Sequence, residues 1–413
     1  IHCGLVGSEM CIRDSHMSIL EQIKKELPWL DDNLSFDLTR GKPSADQLKV
    51  TENIMASLAL PFEMDGIDLR NYGIPEGIPS ARQLGSEILS TPFELTLALD
   101  NSSLTIMQQV VSCALHLGFA NIKLSKKSKF ICPVPGYDRH FKLLENFGIE
   151  MVTVNFSADG PNLNEIKTLL EDDAVSGIVC VPRHSNPTGH TYSDSNISNM
   201  FEMFAKKKNN FMILWDNAYA CHDLKITPEQ QPIMSVAKNL NLENNLFIVG
   251  STSKITLAGA GLAFFSSSEC NIEKFIDYRN SITPGPNKIN QALHVNYFKK
   301  VSLDAQMQAL RELILPKFNL TEKYLTELHE MGLCDYIPPT GGYFISFESR
   351  KPNAEEIISE CANLGLKLLP LGSCFPYMQD PKKNNIRIAP TFPNLEGLDK
   401  CLQIFSSVVK KLN

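Results

Sequence analysis

The sequence predicts an α/β protein with a large domain around a mostly parallel sheet of the seven-stranded type, flanked by helices. A smaller α+β domain, built from both chain ends, is expected beside it. Two observations support this fold class. Short apolar runs alternate with helical patterns between about residues 80 and 270, and a long amphipathic helical pattern with further strands follows from about residue 300. Strand–helix alternation is typical of a parallel sheet covered by helices on both faces.

The apolar runs predict buried strands because they are rich in Ile, Val and Phe and end in turn residues. They are KFICPVPG, IEMVTVNF, GIVCVP, FMILWDNAY and NLFIVGSTSK. Helical patterns lie between them at 139–147, 163–171 and 194–207. In the last part of the chain, 304–332 predicts a long helix, GGYFISF and NNIRIAP predict strands, and 394–411 predicts a closing helix.

The domain organisation follows from these patterns. Residues 1–16 match neither domain, have no signal-peptide architecture and resemble translated sequencing-adapter sequence, so a non-native prefix is expected, with a disordered extension as the alternative. The protein is then expected to begin at Met17, with an amphipathic helix. Residues 17–65 and 301–413 are assigned to the small domain and 66–300 to the large domain.

Composition narrows the class of protein. The formal net charge of −7 disfavours a nucleic-acid or anionic-membrane partner, and no apolar run has the length of a membrane span. The eleven cysteines are scattered, without a C-x-x-C pair or metal-ligand spacing. This usage indicates thiols in a reducing compartment, so a cytoplasmic protein without a metal site is predicted.

Polar clusters follow several of the apolar runs, where open α/β sheets bind their ligands. The clusters are NSSLT, PGYDRH, SNPTG, DNAY and STSK. Each has an ordinary structural explanation when taken alone. SNPTG is a good turn, Asp216 could cap a helix, Tyr219 could be a core aromatic, and the serines of NSSLT could form a helix N-cap. Their combination and order are more informative than any single cluster.

The combined clusters resemble the fold-type I aminotransferases that use pyridoxal 5'-phosphate, and the resemblance runs from about residue 35 to the C-terminus. CPVPGYDRHF, CVPRHSNPTGHTYSD, WDNAYACHDL and STSKITLAGAG are most similar to the atypical aspartate aminotransferase branch. That branch is related to the aminotransferase-like domain of MocR-type regulators. The resemblance implies a pyridoxal phosphate enzyme that forms a homodimer with shared active sites.

The resemblance also implies catalytic roles. Lys254 of the S-x-S-K motif would hold the cofactor as a Schiff base and later move a proton. Asp216 would pair with the pyridinium nitrogen. Tyr219 and Asn186 would donate hydrogen bonds to the phenolic oxygen of the cofactor, lowering the Schiff-base pKa, and Tyr137 would stack on the ring.

Phosphate binding is implied at three places. Ser102 and Ser103 would present a helix N-terminus to the anion. Ser251 and Ser253 can donate hydroxyl hydrogen bonds, and the glycines at 259 and 261 are expected to let the backbone approach the ligand. Tyr72, in NYGIPEGIPSAR, matches a tyrosine that reaches the phosphate of the neighbouring subunit.

One departure from the family pattern concerns the phosphate. Most relatives carry an arginine about eight residues after the lysine, and KITLAGAGLAFF contains none. The phosphate charge would then be balanced by the helix dipole, by hydroxyls, by Tyr72 or by a cation that the sequence does not identify.

Substrate recognition is expected at Arg387 in NNIRIAP, which matches the arginine that grips the α-carboxylate as a planar fork. Asn186 would steady the same carboxylate, and Gly41 matches a substrate-side glycine of the small domain. A dicarboxylate also needs a second cation. Arg279 is favoured, because RNSITPGP resembles the interface loop that supplies this group across the dimer. The other candidates are Arg40, Lys42, Arg139 and Arg183.

The predicted function is ping-pong transamination of L-aspartate or L-glutamate, with 2-oxoglutarate as the amino acceptor. Alanine or aromatic transamination and a β-lyase reaction stay open, because the scaffold and cofactor do not dictate the substrate. A non-catalytic ligand sensor, as in the MocR group, is a rival of another class. It is disfavoured because the roughly fifty residues between Met17 and NYGIPEG are not basic. An inactive relative is disfavoured because the implied active-site residues are intact.

Overall fold

The computed structural model of the chain describes residues 17–31, 33–54, 62–207 and 209–413. The expected prefix 1–16 lies outside the described residues. The helices are α1 (Ile19–Glu26), α2 (Ala45–Val50), α3 (Pro79–Leu89), α4 (Ser103–His116), α5 (Asp138–Asn146), α6 (Leu163–Leu169), α7 (Asp194–Lys206), α8 (Ile233–Asn239), α9 (Glu269–Asn280), α10 (Lys288–Phe298), α11 (Leu303–Glu330), α12 (Ala354–Asn363) and α13 (Leu395–Leu412).

The strands belong to one large sheet and three small ones. They are β1 (Phe36–Asp37), β2 (Glu63–Met64), β3 (Ile67–Asp68), β4 (Thr96–Ala98), β5 (Lys129–Val134), β6 (Glu150–Ser157), β7 (Gly160–Pro161), β8 (Val175–Cys180), β9 (Met212–Asp216), β10 (Leu246–Ser251), β11 (Ala263–Ser266), β12 (Cys334–Tyr336), β13 (Ile345–Ser349), β14 (Leu366–Lys367) and β15 (Asn385–Ile388).

The large sheet has eight strands in the order β4-β11-β10-β9-β8-β5-β6-β7. The pairs from β10 to β6 are parallel, whereas β11, β4 and β7 join antiparallel. The sequence predicts this mostly parallel sheet and each of the five apolar runs as one of its strands. The difference from the seven-stranded prediction is β7, a two-residue edge strand that pairs with the end of β6.

Burial explains why these runs form interior strands. Every residue of β8, β9 and β10 is buried. Successive residues enter different core clusters. Ile178 and Ile213 pack into one cluster, and their neighbours Val179 and Leu214 pack into the other. The strands are therefore covered by apolar side chains on both faces, as parallel strands require.

Segments from the first and the last parts of the described chain pack together. Strand β1 pairs parallel with β14, and the indole nitrogen of Trp29 donates a hydrogen bond to Gln403 of α13 at 3.0 Å. Strands β12, β13 and β15 form an antiparallel sheet that α11 and α13 accompany. These contacts are those expected of a small domain shared by both ends, whose boundaries stay predictions. None of the described helices combines the length and apolar character needed to cross a membrane.

Candidate active site

The carboxyl ends of β8, β9 and β10 open onto a cavity of about 250 Å³. Because these strands are parallel neighbours, the residues that follow them meet at one edge of the sheet. The cavity wall brings together most of the residues that the sequence nominates. They are Ser102, Ser103, Tyr137, Asn186, Asp216, Tyr219, Ser251, Ser253 and Lys254.

Lys254 follows β10 and turns its amine toward aromatic rings. Its Nζ lies 5.0 Å from the ring centroid of Tyr219. Desolvation lowers the pKa of this amine; the Asp216 carboxylate opposes the shift and the Arg387 guanidinium adds to it. The surroundings therefore favour a neutral amine, the form that acts as a nucleophile or base.

The backbone of Lys254 is held from two sides. Its carbonyl accepts hydrogen bonds from Tyr343 Oη at 3.2 Å and from His222 Nε2 at 3.4 Å. Tyr343 Oη in turn accepts a hydrogen bond from Gln47 Nε2 of α2 at 2.9 Å. The sequence analysis did not single out these three residues, because they come from segments far apart in the chain.

Asp216, the last residue of β9, is buried and half satisfied. Its Oδ2 lies 2.8 Å from His140 Nε2, and both side chains are almost wholly buried. Its Oδ1 has no hydrogen-bond partner among the described residues. A buried carboxylate oxygen without a donor is costly, so it is suited to a ligand that supplies a proton. The sequence analysis missed His140, although its spacing of three residues from Tyr137 was a signal available in PGYDRH.

Two tyrosines and an amide complete the central part of the cavity. Burial raises the pKa of Tyr219 and of Tyr137, which keeps both hydroxyls protonated and able to donate. Tyr137 is the N-cap of α5 and contacts the His140 ring edge-on at 4.8 Å between centroids. Asn186, in the loop after β8, is buried.

The far end of the cavity is rich in donors. Ser102 is the N-cap of α4, but its side chain accepts no hydrogen bond from the first turn, so that turn can bind an anion. Ser251 Oγ lies 3.0 Å from Ser253 Oγ. Of the described residues that line the cavity, only Lys254 is a cation. The position eight residues after Lys254 is Leu262, which is fully buried in the core.

The glycines after Lys254 differ from the expectation. A Cβ on Gly261 would lie 2.6 Å from Ser253 Oγ and 3.1 Å from the carbonyl oxygen of Asn101, so this glycine allows the loop to pack on Ser253. A Cβ on Gly259 would meet nothing within 4 Å. Gly261 therefore serves a close approach within the protein, and the expected approach of Gly259 to the ligand stays a prediction.

Arg387 of β15 lies beside this cavity and is buried. Its Nη1 donates to Asp138 Oδ1 at 2.9 Å and to Asn186 Oδ1 at 3.3 Å, and its Nη2 donates to the Thr39 carbonyl at 3.1 Å. The guanidinium carbon lies 4.5 Å from the ring centroid of Phe344. Arg387 Nε has no partner among the described residues, so one buried donor is available for a ligand.

Three nominated residues lie away from the cavity. Tyr72 is on a surface loop and is 81% exposed. Gly41 packs on the ring that supports Arg387, since a Cβ there would lie 2.5 Å from the Phe344 ring. Arg279 is buried in α9, where it pairs with Asp100 at 2.7 Å and donates to Gln109. Its donors are thus used in holding the residue that precedes Asn101 and Ser102.

The other candidates for a second cation are either paired within the protein or exposed. Arg183 is also committed elsewhere, because its Nε and Nη2 bind both carboxylate oxygens of Asp223, at 3.0 and 2.7 Å. Arg40, Lys42 and Arg139 are exposed. Exposed side chains of this kind are free to reorient toward a ligand, whereas Arg183 is fixed.

The cavity fits pyridoxal 5'-phosphate. The free Asp216 Oδ1 suits a protonated ring nitrogen, Lys254 suits the aldehyde carbon, and the uncapped first turn of α4 suits the phosphate. A lysine whose pKa is lowered by burial, a buried acceptor and an anion site around one cavity at the sheet edge are the features of pyridoxal phosphate enzymes built on this fold.

Comparisons with known proteins agree with that class and narrow it. The chain belongs to the aspartate amino-transferase family, whose family model matches residues 15–412. It is 38% identical over 392 residues to an aspartate aminotransferase of Corynebacterium glutamicum, covering 92% of this chain and 90% of the relative. It is therefore a pyridoxal-phosphate-dependent, aspartate-aminotransferase-like enzyme.

Solved structures show the same relation. The structure of an aspartate transaminase from Corynebacterium glutamicum superimposes with a TM-score of 0.88 at 36% identity, covering 94% of each chain. The structure of LysN, an α-aminoadipate aminotransferase of Thermus thermophilus complexed with N-(5'-phosphopyridoxyl)-L-leucine, gives 0.76 at 18% identity, covering 96% of this chain and 95% of that one. The second likeness concerns the fold alone.

Proposed function

We propose that this enzyme transfers the amino group of L-aspartate to 2-oxoglutarate in a ping-pong cycle, with L-glutamate as the amino donor in the reverse direction. The observation that carries the proposal is the Lys254 amine, whose pKa burial lowers, in one cavity with the half-satisfied Asp216 and beside Arg387. The relative from Corynebacterium glutamicum, an aspartate aminotransferase, supports the choice of aspartate.

The cofactor in this proposal is pyridoxal 5'-phosphate. When bound, it supplies a conjugated ring that accepts the electron pair left at the substrate Cα after deprotonation. Lys254 would hold it covalently, and Asp216 would bind its ring nitrogen. The remaining contacts would come from Tyr137 on the ring face, Tyr219 and Asn186 at the phenolic oxygen, and Ser102, Ser103, Ser251 and Ser253 at the phosphate, with Tyr72 of a second subunit.

The chain's own groups divide the chemical work. Lys254, whose amine pKa is lowered by desolvation, would take the proton from the substrate Cα and later give it back. His140 donates a hydrogen bond to Asp216 Oδ2, which leaves Oδ1 directed at its ligand. Tyr219 stays protonated, because burial raises its pKa, and acts as a hydrogen-bond donor.

Arg387 binds and orients the substrate in this proposal. Its guanidinium would donate to the α-carboxylate as a planar fork, and its Nε has no partner among the described residues. Asn186 lies 3.3 Å from Nη1 and keeps the guanidinium in place. The Phe344 ring covers one face of the guanidinium and shields it from water.

We also propose a homodimer with shared active sites. The loops around residues 73 and 285 contact each other, since a Cβ on Gly285 would lie 3.0 Å from the Gly73 carbonyl oxygen. Tyr72, Ile282 and Ile289, on or beside these loops, are 81%, 51% and 44% exposed. An apolar surface of this kind suits a second copy of the chain.

Mixed dimers test the shared site. Lys254→Ala and Tyr72→Ala subunits, each impaired alone, should regain up to about a quarter of native activity when mixed. About half of the dimers are then mixed, and one of the two sites in each mixed dimer has both native residues. Two Lys254→Ala preparations mixed under the same conditions are the control. Failure of the mixture to exceed the sum of its parts would exclude a site that uses Tyr72 of the other subunit.

The compartment is proposed from the cysteines. The nine cysteines in the described part of the chain are free, and seven of them are buried. Free thiols persist in a reducing compartment, so we place the enzyme in the cytoplasm. Recovery of the protein from a membrane or secreted fraction would contradict this.

The experiment that tests the function is an absorption spectrum of the cofactor-loaded protein, recorded before and after L-aspartate is added without an oxo acid. The band of the lysine-bound cofactor should convert to that of the aminated cofactor, and 2-oxoglutarate should reverse the change. Conversion by alanine or an aromatic amino acid but not by aspartate would overturn the substrate. Release of pyruvate, ammonia and sulfide from L-cysteine without an acceptor would indicate a β-lyase.

A further inference from the structure

Arg387 already carries a carboxylate from its own chain. Asp138 Oδ1 lies 2.9 Å from Arg387 Nη1, and the guanidinium is 4% exposed. Asp138 is the first residue of α5, directly after Tyr137 in the cavity wall. The sequence analysis assigned no role to this aspartate. Its position on the arginine proposed to bind the substrate's α-carboxylate raises the question of what it does when a substrate arrives.

The charges around Arg387 bear on the role of Asp138. The Arg387 guanidinium already faces the Asp138 carboxylate, so the formal charges of this pair cancel before any ligand enters. A substrate carboxylate on Arg387 would lie next to the Asp138 carboxylate in a partly desolvated site. Two carboxylates bound to the same guanidinium repel each other strongly, because little water is present to screen their charges.

The structure indicates which partner can move. Arg387 is fixed by the Thr39 carbonyl, by Asn186 and by the Phe344 ring. Asp138 has a side chain that is 29% exposed, and it can rotate without disturbing the core. Its other oxygen, Oδ2, is already 3.9 Å from Arg139 Nε, and the Arg139 side chain is 55% exposed. Asp138 therefore has a second cation within reach.

We propose that Asp138 is a built-in competitor for Arg387. The incoming α-carboxylate displaces Asp138 from Nη1, and Asp138 then pairs with Arg139. This inference rests on the proposed role of Arg387 in binding substrate. The exchange lowers the affinity of Arg387 for every carboxylate, so a ligand that makes no other contact in the site is held only weakly.

Calorimetric titration of the cofactor-loaded protein with succinate tests the competition, since succinate has the carboxylates of a substrate but no amine to react. Asp138→Asn should bind succinate about tenfold more tightly than the native protein, because the competing charge is gone while the side-chain shape is kept. Glu269→Gln, at the first position of α9 and exposed, is the matched control and should bind as the native protein does. Unchanged or weaker binding by Asp138→Asn would overturn the inference, weaker binding meaning that Asp138 only positions the arginine.

A double-mutant cycle tests the exchange partner. Arg139→Gln should weaken succinate binding in the native background, because displaced Asp138 loses its acceptor, and should have no effect in the Asp138→Asn background. Equal effects of Arg139→Gln in both backgrounds would overturn the exchange and make Arg139 a direct ligand of succinate.

Arg387→Lys separates this inference from the proposed function. If Arg387→Lys binds succinate as the native protein does, Arg387 is not the carboxylate site, and both the proposed role and the inference fail. If Arg387→Lys loses succinate binding while Asp138→Asn is unchanged, only the inference fails.

Discussion

Two regions of the active site are built differently. The cofactor floor, which comprises Asp216, Tyr219, Ser251, Ser253 and Lys254, comes from the ends of two neighbouring parallel strands. The carboxylate wall, which comprises Thr39, Asp138, Phe344 and Arg387, comes from four segments spread over the chain. The floor is held by the core of the sheet, whereas the wall is held by polar contacts between segments.

The floor and the wall also differ in how their charged side chains are paired. In the floor, the carboxylate of Asp216 keeps one oxygen for a ligand, and its other oxygen has a buried histidine. In the wall, Arg387 is paired with the partly exposed carboxylate of Asp138. In the proposed function, the floor would hold the cofactor, and the wall would bind substrates that exchange in every cycle. The following substitutions test this contrast.

The largest effect is expected in the floor. Lys254→Ala should lower kcat for aspartate and 2-oxoglutarate by at least about 10⁴-fold, because it removes the proposed base and nucleophile together. Lys317→Ala is the control, since Lys317 is a buried lysine of α11 that donates to the Thr391 carbonyl at 2.7 Å. The control should lose stability but keep its kcat. A Lys254→Ala enzyme within tenfold of native kcat would contradict the role.

A substitution in the wall should act mainly on substrate binding. Arg387→Lys should lower kcat/KM for aspartate about 100-fold, chiefly through KM, because an ammonium cannot reproduce the planar donor pair. Arg350→Lys, which changes an exposed pair with Asp335, is the matched control and should have little effect. Steady-state kinetics provide the measurement, and a loss confined to kcat would mean that the wall takes part in the chemical step.

A smaller effect is expected from a single hydroxyl of the floor. Tyr219→Phe should lower kcat about tenfold, the value of one hydrogen bond to a charged group, with KM nearly unchanged. Tyr297→Phe removes an equally buried hydroxyl, which donates to Gln306 at 2.5 Å outside the cavity, and should leave kcat as it is. Equal kinetic effects of the two substitutions would show that Tyr219 has only a packing role.

The smallest effect concerns the burial of His222, which lies against the Lys254 carbonyl beside the floor. Burial lowers the pKa of His222 to about 3, with the Lys254 charge adding to the shift. Because this histidine is neutral when folded but titrates near 6.5 when unfolded, its contribution to stability is complete above pH 6.5 and is lost as the pH falls toward 3. The loss should be about 1.4 kcal/mol per pH unit at most.

Guanidinium unfolding at pH 7, 6 and 5 measures this loss. His222→Asn should flatten the dependence of the unfolding free energy on pH by about one proton below pH 6. His116→Asn, at an exposed position of α4, should leave the slope unchanged. A slope that is identical in the native protein and in His222→Asn would mean that His222 is hydrated in the folded state.

The contrast also explains what the sequence predicts. Asp216 and Lys254 directly follow apolar strands, so strand order alone brings them to one edge. His140 was within reach of the same reasoning, one helical turn from Tyr137. Asp138 and Thr39 were not, because their role depends on Arg387, which is more than 200 residues away from both.

Arg279 shows the limit of a motif. Its local sequence pointed to a substrate cation, but the side chain is buried against Asp100 and Gln109. A local sequence pattern does not reveal which side chains from distant parts of the chain a long arginine will contact in the folded protein. Tyr72 is the opposite case. Its side chain is exposed on the single chain, so the predicted contact with the phosphate site of a second copy stays a prediction.

The hydrogen bonds from Gln47 to Tyr343 and from Tyr343 to the Lys254 carbonyl have a mechanical consequence. A short helix near the start of the chain is tied, through one phenol, to the peptide that carries the reactive amine. The two segments lie some two hundred residues apart in the chain, and neither Gln47 nor Tyr343 lines the cofactor cavity. A Gln47 substitution is therefore expected to act on Lys254 through the position of its peptide and not through a contact with the cofactor.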